Sequence, residues 1–257
     1  MSIAVTFTGL RERLQTLDRL EREQLPFAAA LALTTTAQQI RAGLVDEMRV
    51  VFDRPTRATL NSLFVQPATK AKLEARVWIK DGRSRTGAGN LAGVEGKWGK
   101  GRAAISWLSP EVYGGARGHK GFEKMLQRKG VLGSGQFVLP GKGAPLDQFG
   151  NIKRGDLNKI LSGARLFTEE GYKANAAEDA SSRYFLIRRG SRPIGVAERL
   201  GRGEGTRNNI RMVLAFVAQP KYGRLLDFHG VSGRIAADLL PIEFEKALAR
   251  ALATRRR

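Results

Sequence analysis

The sequence predicts an α+β fold: a long N-terminal amphipathic helix, an antiparallel β-sheet, a C-terminal closing helix and a Gly-rich basic insertion. Three observations predict it. Apolar residues recur at helical spacing from residue 27 to 51, polar and apolar residues alternate from 73 to 80, and helical spacing returns from 235 to 252. Apolar residues make up 42% of the 257-residue chain, which is enough for a sizeable core.

The first two elements are predicted to be helices. Leucines at steps of four and three predict a helix over residues 10–24. Pro26 fits the first turn of a second helix, where its missing N–H leaves no intrahelical bond unmade. The apolar stripe of this second helix consists of Phe27, Ala30, Leu33, Ala37, Ile40, Leu44, Met48 and Val51. Such a stripe is typical of a helix packed on a core, and the opposite face can dock a partner subunit.

Two strands are predicted next. Pro55 disfavours helix at Arg54 and so ends the second helix. Residues 59–66 and 73–80 are the strand candidates, joined by a hairpin loop at 67–70. Strict alternation in 73–80 predicts a half-buried strand that is antiparallel to its neighbour.

The middle of the chain reads as an insertion. Residues 82–101 are rich in glycine and predict a loop. The further predictions are a strand at 103–108, helices at 120–128 and 154–166, and a loop at 174–182. We therefore assign 1–81 and 183–257 to an α+β core domain. Residues 82–182 are assigned to a Gly-rich basic insertion between strands of one sheet.

The last third predicts sheet followed by helix. Residues 184–187, 194–198 and 212–217 are strand candidates, and 212–217 is apolar on both faces, as a central strand requires. The closing helix contains Pro241, which we expect to bend it or divide it in two.

Charge is the strongest functional signal in the residues themselves. The chain has 44 Lys and Arg against 24 Asp and Glu, a formal net charge of +20. Two blocks concentrate the excess: residues 82–139, with ten cations against three carboxylates, and residues 183–211, with eight arginines against two glutamates. An excess of this size favours association with polyanions or with an acidic protein surface.

The sequence offers no positive sign of catalysis, and we expect no enzyme, cofactor or metal. The absence of cysteine excludes disulfides, thiol nucleophiles and Cys-based zinc sites. His119 and His229 each lack a companion at ligand spacing. A nuclease requires clustered carboxylates, which the sequence does not show.

No apolar stretch approaches the length of a membrane span, and residues 1–10 lack the pattern of a signal peptide. We therefore expect a soluble protein folded in a cytoplasm, with no membrane partner.

Several stretches together resemble tailed-phage and prophage structural (virion) proteins. These stretches are 27–37 (FAAALALTTTA), 51–56 (VFDRPT), 59–63 (TLNSL), 68–70 (ATK), 74–78 (EARVW), 113–115 (YGG), 140–144 (PGKGA), 150–151 (GN) and 244–249 (FEKALA). The N-terminal helix, the following hairpin and the closing helix are similar to the minor tail protein Z or tail-completion (head–tail joining) family. The wider likeness covers most of the chain, and the family inference is one of analogy.

The resemblance implies a non-catalytic virion protein of the neck or tail, assembled in the cytoplasm of a bacterial host. Its implied partners are further copies of itself in a ring, often of six copies in that family, together with connector or portal-side proteins and tail tube or tail terminator proteins. Non-specific contact with genomic DNA in the lumen is also implied.

Basic residues are the candidates for the partner or DNA-lumen interface. They are Arg83, Arg85, Lys97, Lys100 and Arg102 in the predicted loop, and Arg188, Arg189 and Arg192 further on. We expect the loop to become ordered only against neighbouring subunits. The alternative is a basic nucleic-acid-binding protein that contacts DNA phosphates without sequence specificity.

Overall fold

The computed structural model describes residues 2–6, 19–81, 103–166, 183–200 and 209–253. The chain divides into two compact units. Unit 1 comprises Met1–Gly115 and Gly223–Arg257, and unit 2 comprises Ala116–Tyr222. Both helices and antiparallel sheets are present, with a long helix near each end of the chain, which confirms the predicted α+β class.

Unit 1 pairs two long helices with a three-stranded antiparallel sheet. The helices are α1 (Arg19–Val51) and α6 (Phe228–Ala253), and two shorter ones are α2 (Arg57–Leu60) and α3 (Ile105–Tyr113). The strands are β1 (Ser2–Thr6), β2 (Leu63–Gln66) and β3 (Glu74–Ile79), in the order β1-β3-β2. The predicted 59–80 hairpin is therefore present, and β1 adds a strand that the sequence did not predict.

The core of unit 1 is the predicted stripe of α1 packed on β3 and α6. Leu33, Ile40, Leu44 and Met48 are completely buried, whereas Phe27 at the end of the stripe is 37% exposed. At one end of the helix pair the contact is made by small side chains: Ala28, Ala32, Ala247 and Ala251 are buried together. Alanines at such a contact let two helix backbones approach closely.

One prediction about a proline of unit 1 was wrong, and another was wrong in one of its two alternatives. Pro26 lies inside α1 rather than in the first turn of a second helix. Residues 10–18 of the predicted 10–24 helix lie outside the described residues. The alanine contact just after Pro26 holds α1 on α6 and offsets the one hydrogen bond that a proline removes. Pro241 does not divide α6, because it lies on an exposed part of the helix where water can bind the orphaned carbonyl.

Two predicted strands of unit 1 contain helix instead. Residues 57–60 form α2 because Thr56 caps it: the Thr59 N–H donates to Thr56 Oγ1 at 3.2 Å. Residues 105–113 form α3 rather than a strand at 103–108. Leu108 and Val112, one helical turn apart, are both buried in the core of unit 1.

Unit 2 is built on a four-stranded antiparallel sheet. Its strands are β5 (Gln136–Pro140), β6 (Tyr184–Arg189), β7 (Arg192–Arg199) and β8 (Ile210–Ala218), in the order β5-β8-β7-β6. Its helices are α4 (Gly121–Arg128) and α5 (Arg154–Gly163), close to the predicted bounds. The two-residue strands β4 (Gly115–Ala116) and β9 (Lys221–Tyr222) pair with each other.

The predicted division of the chain differs from the observed one. Residues 184–218 were assigned to the sheet of the 59–80 hairpin, but these strands pair with one another and with β5. The prediction missed β5 because its five residues are nearly all apolar and end in Pro140. β8 is an interior strand, as its two apolar faces predicted. The separate core of unit 2 includes Leu126, Val138, Ile160, Val196 and Leu214.

Candidate functional site

The structure describes only part of the predicted interface. Arg83, Arg85, Lys97, Lys100 and Arg102 lie outside the described residues, as do the predicted loops at 82–101 and 174–182. Arg188, Arg189 and Arg192 are described, and all three are exposed at the turn between β6 and β7. We call residues 188–192 the arginine hairpin.

The turn of the arginine hairpin has two residues, Gly190 and Ser191. Gly190 has φ +60°, and Ser191 is not among the residues with positive φ, which is the pattern of a type II′ turn. Such a tight turn fixes the register, so that Arg189 lies directly opposite Arg192 and Arg188 lies opposite Pro193. One Arg188 Nη1–H donates to the Ser191 carbonyl at 3.0 Å and ties that side chain to the turn.

The arginine hairpin concentrates positive charge that the described residues do not neutralise. Like charges directly opposite each other on neighbouring strands destabilise a hairpin. Neither Arg189 nor Arg192 forms an ion pair within the described part of the chain. Among the described strands of its sheet, β6 is also an outer one. The hairpin therefore presents three cations that an anionic partner can bind at low desolvation cost.

A second group of charges lies on the same sheet and was not predicted as a site. Glu198 in β7 is 1% exposed, and its register neighbours are Tyr184 on β6 and Arg211 on β8. Arg183 Nε donates to Glu198 Oε1 at 2.5 Å, and Arg211 Nε donates to Glu198 Oε2 at 2.5 Å. One buried carboxylate thus holds two guanidinium groups from two different segments.

The electrostatics of this group follow from that geometry. Burial by itself raises the pKa of the Glu198 carboxyl, but the hydrogen bonds from Arg211 and Arg183 outweigh it, so the pKa lies below its ordinary value. Burial and the nearby Glu198 charge raise the pKa of the Tyr184 hydroxyl. Glu198 is therefore ionised and Tyr184 neutral at physiological pH.

These residues line an open cleft with a volume of roughly 250 Å³. Its walls are formed by Pro145, Asp156, Lys159, Arg183, Tyr184, Glu198 and Arg211. Lys159 and Asp156 lie on α5, where their charged atoms are 3.9 Å apart. The sequence carried one signal for this site, since Glu198 is one of only two carboxylates among the eight arginines of residues 183–211.

A third charged network in unit 2 has a structural role. Glu123 is completely buried and accepts hydrogen bonds from Arg117 and from the backbone N–H groups of Lys120 and Val138, at 2.6 to 2.8 Å. Both oxygens of the carboxylate accept hydrogen bonds. Burial raises the pKa of Glu123, but the Arg117 and backbone hydrogen bonds outweigh it and lower the pKa overall. The network ties the start of α4 to β5.

The two histidines are described and belong to different units. His119 stacks on Phe137 at 4.0 Å, with its Nε2 3.1 Å from the Gln136 carbonyl oxygen. His229 is exposed beside Phe228. Within the described ranges, no three His, Asp or Glu side chains are grouped as metal ligands. No helix in these ranges is long and apolar enough to cross a membrane.

Comparison of the chain with known protein families, with curated proteins and with solved structures finds no match in any of the three.

Proposed function

We propose that the chain is a structural subunit of a tailed-phage virion, placed at the head–tail junction or the tail end. In this role it forms an oligomeric ring that completes the tail or joins it to the head connector, without catalysis. The observation that carries the proposal is the arginine hairpin, three exposed cations held in fixed register at the outer strand of a sheet. The family resemblance of the sequence supplies the setting.

The long helices of unit 1 suit a ring subunit. Both α1 and α6 exceed 25 residues, and the 33 residues of α1 span about 50 Å. A rigid helix pair of this length offers a lateral face for a neighbouring copy. Among the described strands, none pairs with the outer edge of β1 or of β2. Open edges of this kind can accept a strand from a neighbour.

The arginine hairpin suits either of two surfaces that a neck or tail subunit meets. Arginine binds phosphates and carboxylates through bidentate hydrogen bonds. DNA in a lumen is contacted through its phosphates, without reading of the sequence. The other surface is that of a connector, tail tube or tail terminator protein. An acidic surface on such a protein complements the net charge of +20.

Cryo-electron microscopy of the purified particle whose genome encodes the chain tests the proposal. The expected result is a ring of density between connector and tail, or at the tail end, into which units 1 and 2 fit separately. The ring also shows whether the arginine hairpin faces the lumen or a neighbouring protein. Absence of the chain from the mature particle contradicts the proposal.

The second candidate function is binding of nucleic acid through phosphates alone. The opposed pair Arg189 and Arg192 favours it, because bound phosphates relieve their mutual repulsion. For a dedicated DNA binder, the logarithm of the affinity falls linearly with the logarithm of the salt concentration, with a slope set by the number of phosphates that it neutralises. Sedimentation of the chain alone separates the candidates, since a ring subunit self-associates without DNA and a simple DNA binder does not.

A further inference from the structure

The cleft around Glu198 is the feature of unit 2 that the proposed function leaves without a role. It lies on the same sheet as the arginine hairpin and consists of other residues. Its charged lining comprises three cations, Lys159, Arg183 and Arg211, and two carboxylates, Asp156 and Glu198. The cleft therefore carries an excess positive charge.

Glu198 holds the two arginines in place. Its side chain is only 2% exposed, whereas those of Arg183 and Arg211 are 56% and 46% exposed. Each guanidinium has five N–H groups, and those of Arg211 other than Nε–H have no hydrogen-bond partner among the described residues. The buried carboxylate thus fixes two cations next to each other in the lining of the cleft, and Arg211 keeps N–H donors that no described residue uses.

The two arginines also leave positive charge that an anion can balance. Two guanidinium groups on one carboxylate leave one positive charge uncompensated, and the ring of Tyr184 lies 5.7 Å from the Arg183 guanidinium carbon, where it offers only a weak cation–π contact. The amine of Lys159 is also near, its side chain is 66% exposed and its contact with Asp156 is long, at 3.9 Å. It can turn toward a ligand at little energetic cost.

The size of the cleft limits what it can hold. Sites for cofactors and drug-sized molecules occupy about 300–1,000 Å³. At roughly 250 Å³ and open on one side, this cleft suits a single small anion or the anionic end of a larger molecule. A tetrahedral oxyanion accepts hydrogen bonds from several directions, which matches donors on β8, before β6 and on α5.

We infer that this cleft binds a phosphate group, with Arg211 and Arg183 as its main donors and Lys159 as an auxiliary cation. Glu198 is a positioning residue that orients both arginines. Asp156 lies in the lining and repels the anion. The inference does not depend on the proposed function: it holds for any protein that carries this site.

The test is a calorimetric titration of the full chain with inorganic phosphate, at fixed ionic strength in a phosphate-free buffer. Arg211→Gln is expected to weaken binding about tenfold, because one hydrogen bond to a charged group is removed. Lys159→Gln is expected to weaken it about threefold, and Asp156→Asn to tighten it by a similar factor. The matched control is Arg49→Gln, which removes the same charge at an exposed ion pair with Asp46 in unit 1 and leaves binding within twofold.

A second arm titrates a thymidine dinucleotide, whose only phosphate is a diester. If binding of the dinucleotide also depends on Arg211, the site is assigned to a nucleic-acid backbone. If only the binding of inorganic phosphate depends on Arg211, the site is assigned to free phosphate. Both results support the inference.

Two results overturn it: no saturable binding of either probe, or binding that Arg211→Gln and Lys159→Gln leave unchanged. The ion pair of Lys159 is with Asp156 on its own helix, and the hydrogen bonds to Glu198 come from Arg183 and Arg211. Lys159→Gln therefore keeps the test decisive if Arg211→Gln disturbs folding.

Discussion

Glu198 on β7 and Arg211 on β8 lie directly opposite each other in the sheet of unit 2, and the Arg211 Nε–H donates to Glu198 Oε2 at 2.5 Å. The carboxylate is buried and the guanidinium is half exposed. A buried carboxylate is tolerated only where its oxygens are bonded, and here the second oxygen accepts from Arg183. The interaction therefore joins β8, β7 and the segment before β6 at one point.

Glu198→Gln is expected to destabilise unit 2 by about 2 kcal/mol, since a neutral amide replaces two charge-assisted hydrogen bonds. Hydrogen exchange of peptides from β6, β7 and β8 measures the effect. Tryptophan fluorescence reports on unit 1, because all three tryptophans lie between residues 78 and 107, and it should change little. The control Asp46→Asn breaks an exposed pair with Arg49 and should cost less than about 0.5 kcal/mol. Equal destabilisation in both variants contradicts the stabilising role assigned to the hydrogen bonds of Glu198.

The stability of unit 2 is expected to fall in acid. Glu123 and Glu198 both have pKa values below the ordinary 4.5, so the unfolded chain binds more protons than the folded one in that range. Their contribution is complete above about pH 4.5 and is lost as the pH falls through the folded pKa values. Urea unfolding followed by exchange of unit 2 peptides between about pH 3 and 7 measures it.

The control for the acid prediction is the double variant Glu123→Gln, Glu198→Gln, whose unit 2 stability should vary less with pH. The contribution of Glu111 in unit 1 to the pH dependence of stability has the opposite sign, because burial raises the pKa of this carboxyl. Unit 1 peptides therefore cannot stand in for unit 2. A wild-type unit 2 whose stability stays constant from about pH 7 to 3 contradicts the prediction.

Gly195 in β7 is expected to tolerate no side chain. A Cβ atom there lies 2.3 Å from the Leu214 carbonyl oxygen and 2.6 Å from Met212 Sδ, so the neighbouring backbone of β8 must move. Gly195→Ala should destabilise unit 2 by about 2 kcal/mol or more, as overpacking does. In the control Gly155→Ala, a Cβ meets nothing within 4 Å in α5, and stability should be unchanged or rise. Thermal unfolding of both variants decides, and similar midpoints exclude the steric argument.

The elements with a local pattern could be predicted from the sequence. The stripe from Leu33 to Met48 and the alternation ending at Ile79 identified α1 and β3, because burial on one face leaves a period in the sequence. Caps and prolines were harder to weigh. Thr56 makes a helix where the composition favoured strand, and Pro241 is accommodated because it faces solvent.

The division into units and the cleft could not be predicted in the same way. Which strands pair depends on contacts between distant segments: Gln136 at the start of β5 pairs with Ala218 at the end of β8, and nothing local in β5 specifies β8 as partner. The cleft arises because pairing brings Arg183, Glu198 and Arg211 together. Arg188, Arg189 and Arg192 were named as interface candidates because the excess of arginine in residues 183–211 is readable without the fold, and their role stays a prediction.

The arginine hairpin is expected to contribute most to any binding of DNA. Replacing Arg188, Arg189 and Arg192 by glutamine should lower the slope of log affinity against log salt by roughly 2–3, about 0.9 for each phosphate that is no longer neutralised. Fluorescence anisotropy with a short duplex at several salt concentrations measures the slope.

The control replaces Arg49, Lys72 and Lys246 by glutamine. This variant removes the same amount of charge, but the three side chains already pair with carboxylates in unit 1. It should change the slope by less than about 1. Equal changes in both triple variants mean that net charge alone governs binding. If the hairpin variant keeps its slope but no longer self-associates, the partner of these arginines is a protein surface.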